Sequence, residues 1–101
     1  MSIEATTADG PVPPDCFAWG GKLFTGMRPT SWRLVDALWS ARNRTASLDT
    51  LAHPVFDEHK VPPRHCTAPA ASRANEFFRW HAIPLSVRSR NGYMQVVEHP
   101  R

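Results

Sequence analysis

The apolar residues of the C-terminal third change their spacing once, and the rest of the chain can be read around that change. Across 70–81, Ala70, Ala71, Ala74, Phe77 and Phe78 recur at the spacing of one stripe on an α-helix. Ser72, Glu76 and Arg79 then fall on the opposite face, with Arg73, Asn75 and Trp80 on its flanks. After His81 the period drops to two. Ile83, Leu85 and Val87 alternate with Pro84, Ser86 and Arg88, as in a strand with one buried face. Asn91-Gly92 follows, a pair suited to a type I′ turn because both central residues need positive φ. The spacing thus predicts a helix over 68–81, capped by Thr67 with Pro69 in its first turn, running into a hairpin over 83–97.

Upstream, Pro29 and Thr30 or Ser31 give a helix start, and Trp32, Val35, Leu38 and Trp39 form its apolar stripe as far as Arg42. Arg33 and Asp36 lie off that stripe. The spacing of the tryptophans follows one buried face, which makes them core residues rather than a stacking platform. A short hairpin is predicted over 16–25 around Gly20-Gly21; marginal alone, it must pack on the helices. Ser47 can cap a second, short helix carrying Leu48, Leu51, Ala52 and Val55 on one face. Pro54 would cost that helix about 3 kcal/mol, so it should stop near His53. Residues 57–66 read as a polar, proline-bearing loop. Residues 1–14 lack periodicity and read as a disordered tail, leaving 15–101 as one domain. The expected core comprises Trp32, Val35, Leu38, Trp39, Leu51, Phe77, Phe78 and Leu85. The fold class is α+β, with three helices between two hairpins.

Charge sharpens this picture. The net +3 divides unevenly: five basic residues against seven acidic up to His59, then seven against two from Lys60 onward, or −2 and +5. The positive half coincides with the long helix and its hairpin, which points to an anionic partner. No apolar run approaches the roughly 20 residues that span a bilayer. Residues 1–7 have neither the basic nor the apolar region of an export signal. A cytoplasmic protein with Cys16 and Cys66 as free thiols is therefore expected.

Catalytic chemistry finds little footing. There is no glycine-rich phosphate loop, nucleophile elbow or paired-acid motif, so neither an enzyme nor a cofactor is expected. Cys66 beside His65 is no dyad unless the side chains converge in space. His53, Asp57, His59, His65 and Cys66 lie close in sequence but lack the paired spacing of structural zinc.

The residues also carry a family resemblance. The chain resembles the winged-helix DNA-binding domain at the C-terminus of OmpR/PhoB-type response regulators, over roughly residues 17 to 97. Met27-Arg28-Pro29-Thr30-Ser31-Trp32-Arg33-Leu34-Val35 is similar to that family's Leu-Thr-Pro-like helix start. Leu51-Ala52-His53-Pro54-Val55-Phe56 is similar to its Leu-x-x-x-Val-aromatic helix. Ser72-Arg73-Ala74-Asn75-Glu76-Phe77-Phe78 stands where the recognition helix carries Ser-Arg-Leu-Arg-Arg-Lys-Leu, and Gly92-Tyr93 matches the Gly-Tyr of the wing. Asn75 and Glu76 replace two of the family's arginines.

The resemblance implies a winged helix-turn-helix that reads duplex DNA with helix 68–81 and the 88–92 wing, as a small stand-alone transcriptional regulator. Arg64 and His65 would touch phosphate ahead of the helix. Ser72, Arg73, Asn75, Glu76 and Arg79 would act from it, and Arg88, Arg90 and Asn91 from the hairpin tip. Arginine can read guanine or pin a phosphate, and Glu76 can accept from cytosine or pair along the helix. The rival expectation is a winged-helix interaction module that docks a protein partner or a second copy through Trp80, without DNA.

Overall fold

The computed structural model describes residues 8–47 and 63–99, the latter from the backbone alone at 63–67. Strand β1 (Gly10–Val12) pairs antiparallel with β2 (Cys16–Trp19), which pairs with β3 (Lys22–Phe24) across the Gly20-Gly21 turn. The predicted hairpin therefore supplies two strands of a three-stranded sheet with β2 at its centre. Part of the segment expected as a disordered tail is its third strand, a correction to the 1–14 boundary. Gly10 and Pro11 are poor strand formers, and tertiary contact overrides their propensity. Gly10 lies so close to α1 that an added Cβ would stand 2.6 Å from the Trp39 indole nitrogen. The Asp9 carboxylate accepts from the Gly20 N–H at 2.9 Å, tying the incoming chain to the β2–β3 turn.

Helix α1 (Pro29–Ser40) opens with proline in its first turn, where the missing N–H costs nothing. Leu34, Val35 and Leu38 are buried, Trp32 and Trp39 half-buried, Arg33 exposed and Asp36 half-buried. The Trp32 indole N–H donates to the Cys16 carbonyl at 3.0 Å, joining helix to sheet. Phe17 is fully buried and stacks edge-on against both Trp39 (5.4 Å) and Phe78 (5.1 Å).

After a 3-10 turn at Arg42–Arg44 the chain enters β4 (Thr45–Ser47). Ser47, expected to cap a helix, is the last residue of this strand. The rest of that expected helix, with Leu51, and most of the 57–66 loop lie outside the described residues. Helix α2 runs Pro63–Trp80, starting four residues before the expected Thr67 cap. The pre-set φ of Pro63 suits a helix start. Pro69 consequently sits inside the helix, where it leaves one carbonyl a turn earlier without its helical partner. Ala70, Ala71, Ala74, Phe77 and Phe78 are buried, the same stripe that the spacing predicts. The helices meet where side chains are small. Buried Ser31 donates its hydroxyl to the Ala70 carbonyl at 2.8 Å.

Helix α2 ends abruptly. The Ile83 N–H bonds the Phe78 carbonyl and the Ala82 N–H bonds the Arg79 carbonyl, with Ala82 at φ +56°. This is a Schellman ending with alanine where glycine is usual. It turns the chain into β5 (Leu85–Arg90), which pairs antiparallel with β6 (Tyr93–Glu98) through Asn91-Gly92, both at positive φ. Strand β4 adds to the far side of β6, giving the order β4-β6-β5. The fold is α+β with two small antiparallel sheets. Two α-helices lie among the described residues, where three were expected.

Candidate nucleic-acid interface

Asn75 departs most clearly from its expected role. Strand β5 is the edge of its sheet, so one row of its backbone groups has no strand partner. Asn75 fills that row at Val87: its amide nitrogen donates to the Val87 carbonyl (3.1 Å), and the Val87 N–H donates to its amide oxygen (2.6 Å). Both hydrogen-bonding ends of Asn75 are thus committed to the hairpin. The bond pair fixes the offset between α2 and β5.

Ser72, Arg73, Glu76 and Arg79 are exposed. Trp80 is 85% exposed, which bears out its place outside the core. Arg73, Glu76, Phe77, Arg79, Trp80 and His81 form one wall of an open groove of about 710 Å³, and Thr25, Gly26, Met27 and Arg28 form the other. Met27 and Phe77 are buried and give the groove apolar footing. The His81 ring packs against Phe77 at 4.5 Å and against Phe24 of β3 at 4.9 Å. Among the described residues, the side chains of Arg28, Arg73, Glu76 and Arg79 make no ion pair or hydrogen bond. Three guanidinium groups and one carboxylate therefore line the groove without neutralising one another in contact pairs.

Arg88 and Arg90 lie elsewhere. On β5 they alternate with buried Leu85 and Val87, so they occupy the sheet face turned away from the core. There Arg88 is opposite Gln95 and Arg90 opposite Tyr93, while Thr45 and Ser47 flank the same two β6 residues from β4. Asn91 is exposed at the turn. The expected residues therefore divide between the α2 groove (Arg73, Glu76, Arg79) and the outer sheet face with its tip (Arg88, Arg90, Asn91). Ser72 stays on the solvent side of α2, and Asn75 joins the helix to the hairpin. Arg64 and His65 belong to the first turn of α2, and their side chains lie outside the described residues. His53, Asp57 and His59 also lie outside them.

The sequence reading missed Arg28, which reaches the groove because the loop after β3 crosses beside the end of α2. No local signal marks it, since it lies more than forty residues from Arg73 in the chain. Outside the groove, Arg44 lies over the Trp39 ring at 3.7 Å and is held there by a cation–π contact. The Cys16 thiol is pushed above its ordinary pKa by partial burial first, then by its hydrogen bond and proximity to Asp15. That disfavours the thiolate that nucleophilic chemistry would need. No helix among the described residues is long and apolar enough to cross a membrane.

No protein-family model matches this chain, and no curated protein or solved structure matches it either. The winged-helix resemblance therefore stands on its residues alone.

Proposed function

We propose that this protein is a small winged-helix DNA-binding protein, a cytoplasmic transcriptional regulator that lays α2 in the major groove of duplex DNA. The 88–92 turn then rests against the neighbouring backbone. The observation that carries this reading is the pair of exposed guanidinium groups, Arg73 and Arg79, which have no ion-pair partner among the described residues and stand on the outer side of a helix whose other side is buried in the core. Either can pair with guanine or with phosphate. Glu76 between them can accept from cytosine and tempers non-specific attraction. Because Asn75 locks the hairpin to the helix, Arg88 and Arg90 sit at a constant offset from α2. Asn75 itself is not free to read a base.

The test is an anisotropy titration on mixed-sequence duplex at low salt. Replacing Arg88 and Arg90 by Ala should weaken binding to all sequences and flatten its salt dependence, by about one slope unit for each phosphate no longer neutralised. Arg73→Ala should instead relax preference at one base pair by about 1–3 kcal/mol. Folded protein that binds no duplex would overturn the reading. A second reading, a protein-interaction module, draws on the exposure of Trp80. Association with a protein or a second copy that is indifferent to salt would establish it instead.

A further inference from the structure

We infer that the groove beside α2 holds a single unpaired strand of nucleic acid, with phosphates on Arg28, Arg73 and Arg79 and a base stacked on Trp80. This rests on the reading of α2 as a nucleic-acid contact and goes beyond the duplex mode above, giving the same arginines a single strand to hold. The groove volume of about 710 Å³ falls within the roughly 300–1,000 Å³ of small-ligand clefts. That is room for a nucleotide-sized piece in an open groove, whereas a duplex would lie across it.

The charge is arranged for a strand passing between two walls. Arg28 stands on the side of the loop after β3, and Arg73 and Arg79 stand on the side of α2. Among the described residues, Glu76 is the one acidic residue lining the groove. Trp80, 85% exposed, lines the same groove as these three arginines. An aromatic face open to solvent beside cations that track a backbone is the chemistry of single-strand binding, in which any base can stack and phosphates supply the attraction. An apolar protein anchor seated on Trp80 would desolvate the neighbouring arginines without neutralising them, which is costly. That favours nucleic acid over a protein at this position.

The experiment is a pair of anisotropy titrations at low salt, using a labelled oligothymidylate of about ten nucleotides, within the range of single-strand site sizes, and a duplex of equal length. Trp80→Ala should lower affinity for the oligothymidylate roughly 5- to 150-fold and leave duplex affinity unchanged. Trp80→Phe should keep most of the single-strand affinity. Arg28→Ala should flatten the single-strand salt slope by about 0.7. Both positions are exposed, so circular dichroism should show an unaltered fold in each variant. Duplex binding without single-strand binding would overturn this inference and leave the duplex reading standing. Single-strand binding indifferent to Trp80 would also overturn it, as would an oligoglutamate peptide that displaces the oligothymidylate through Trp80. Failure to bind either nucleic acid would overturn both readings.

Discussion

Asn75 and Arg73 stand two residues apart on α2, both polar and both off its buried stripe, yet the structure uses them in different ways. Asn75 fills the hydrogen-bonding row of an edge strand, donating to and accepting from Val87. Arg73 makes no such bond among the described residues and stands over a groove whose lining includes two further arginines. A polar residue on a helix flank is a candidate for binding only after its hydrogen bonds within the fold are accounted for. By that criterion Asn75 belongs to the architecture, while Arg73 and Arg79 remain open to a partner.

Substitutions on α2 can break or sharpen that contrast. The largest effect belongs to the buried side. Phe78 is fully buried against Phe17, so Phe78→Ala should cost about 3–5 kcal/mol in chemical denaturation. A loss under about 1 kcal/mol would show that the stripe does not hold the two sheets together. Next comes Asn75→Ala, which strands the Val87 N–H and carbonyl at a half-buried edge. The expected loss is about 2–3 kcal/mol, with faster amide exchange at Val87. If exchange there is unchanged, the clamp is not what closes the edge.

A smaller effect, of opposite sign, is expected at the end of the helix. Ala82 holds φ +56° with a side chain that disfavours it, and a left-handed residue costs about 1–2 kcal/mol. Glycine removes that strain but gains freedom in the unfolded chain, so Ala82→Gly should raise stability by up to about 1 kcal/mol. A clear drop would mean the methyl group packs favourably. Smallest of all, Arg73→Ala should leave stability within about 0.5 kcal/mol, as for exposed positions without partners. Any larger change would place Arg73 with Asn75 as a structural residue.

These contrasts also show what could be read from the chain. The buried stripe of α2, the hairpin and the Asn91-Gly92 turn are legible because each has a local cause: helical spacing, alternation, or a demand for positive φ. Strand β4 is not legible, because Thr45-Ala46-Ser47 is too short to show a period and exists as a strand through its pairing with β6. Strand β1 is hidden behind a glycine and a proline that disfavour strands until Trp39 packs against Gly10. The sequence places the start of α2 late because Thr67 is a good cap and Pro63 reads as part of the loop.

The candidate site is legible in part. Arg73, Arg79, Arg88 and Arg90 follow from charge and face. The role of Asn75 and the presence of Arg28 depend on which elements the fold brings side by side. Position on the helix wheel puts Trp80 on a flank, but its neighbours across the groove are not visible in one dimension.

The most direct test of this division of roles is a side-chain NMR titration with duplex DNA at low salt. The guanidinium resonances of Arg73 and Arg79 should shift as DNA is added, while the Asn75 side-chain amide keeps its position because it remains bonded to Val87. Arginine signals that stay still while the Asn75 amide moves would contradict it.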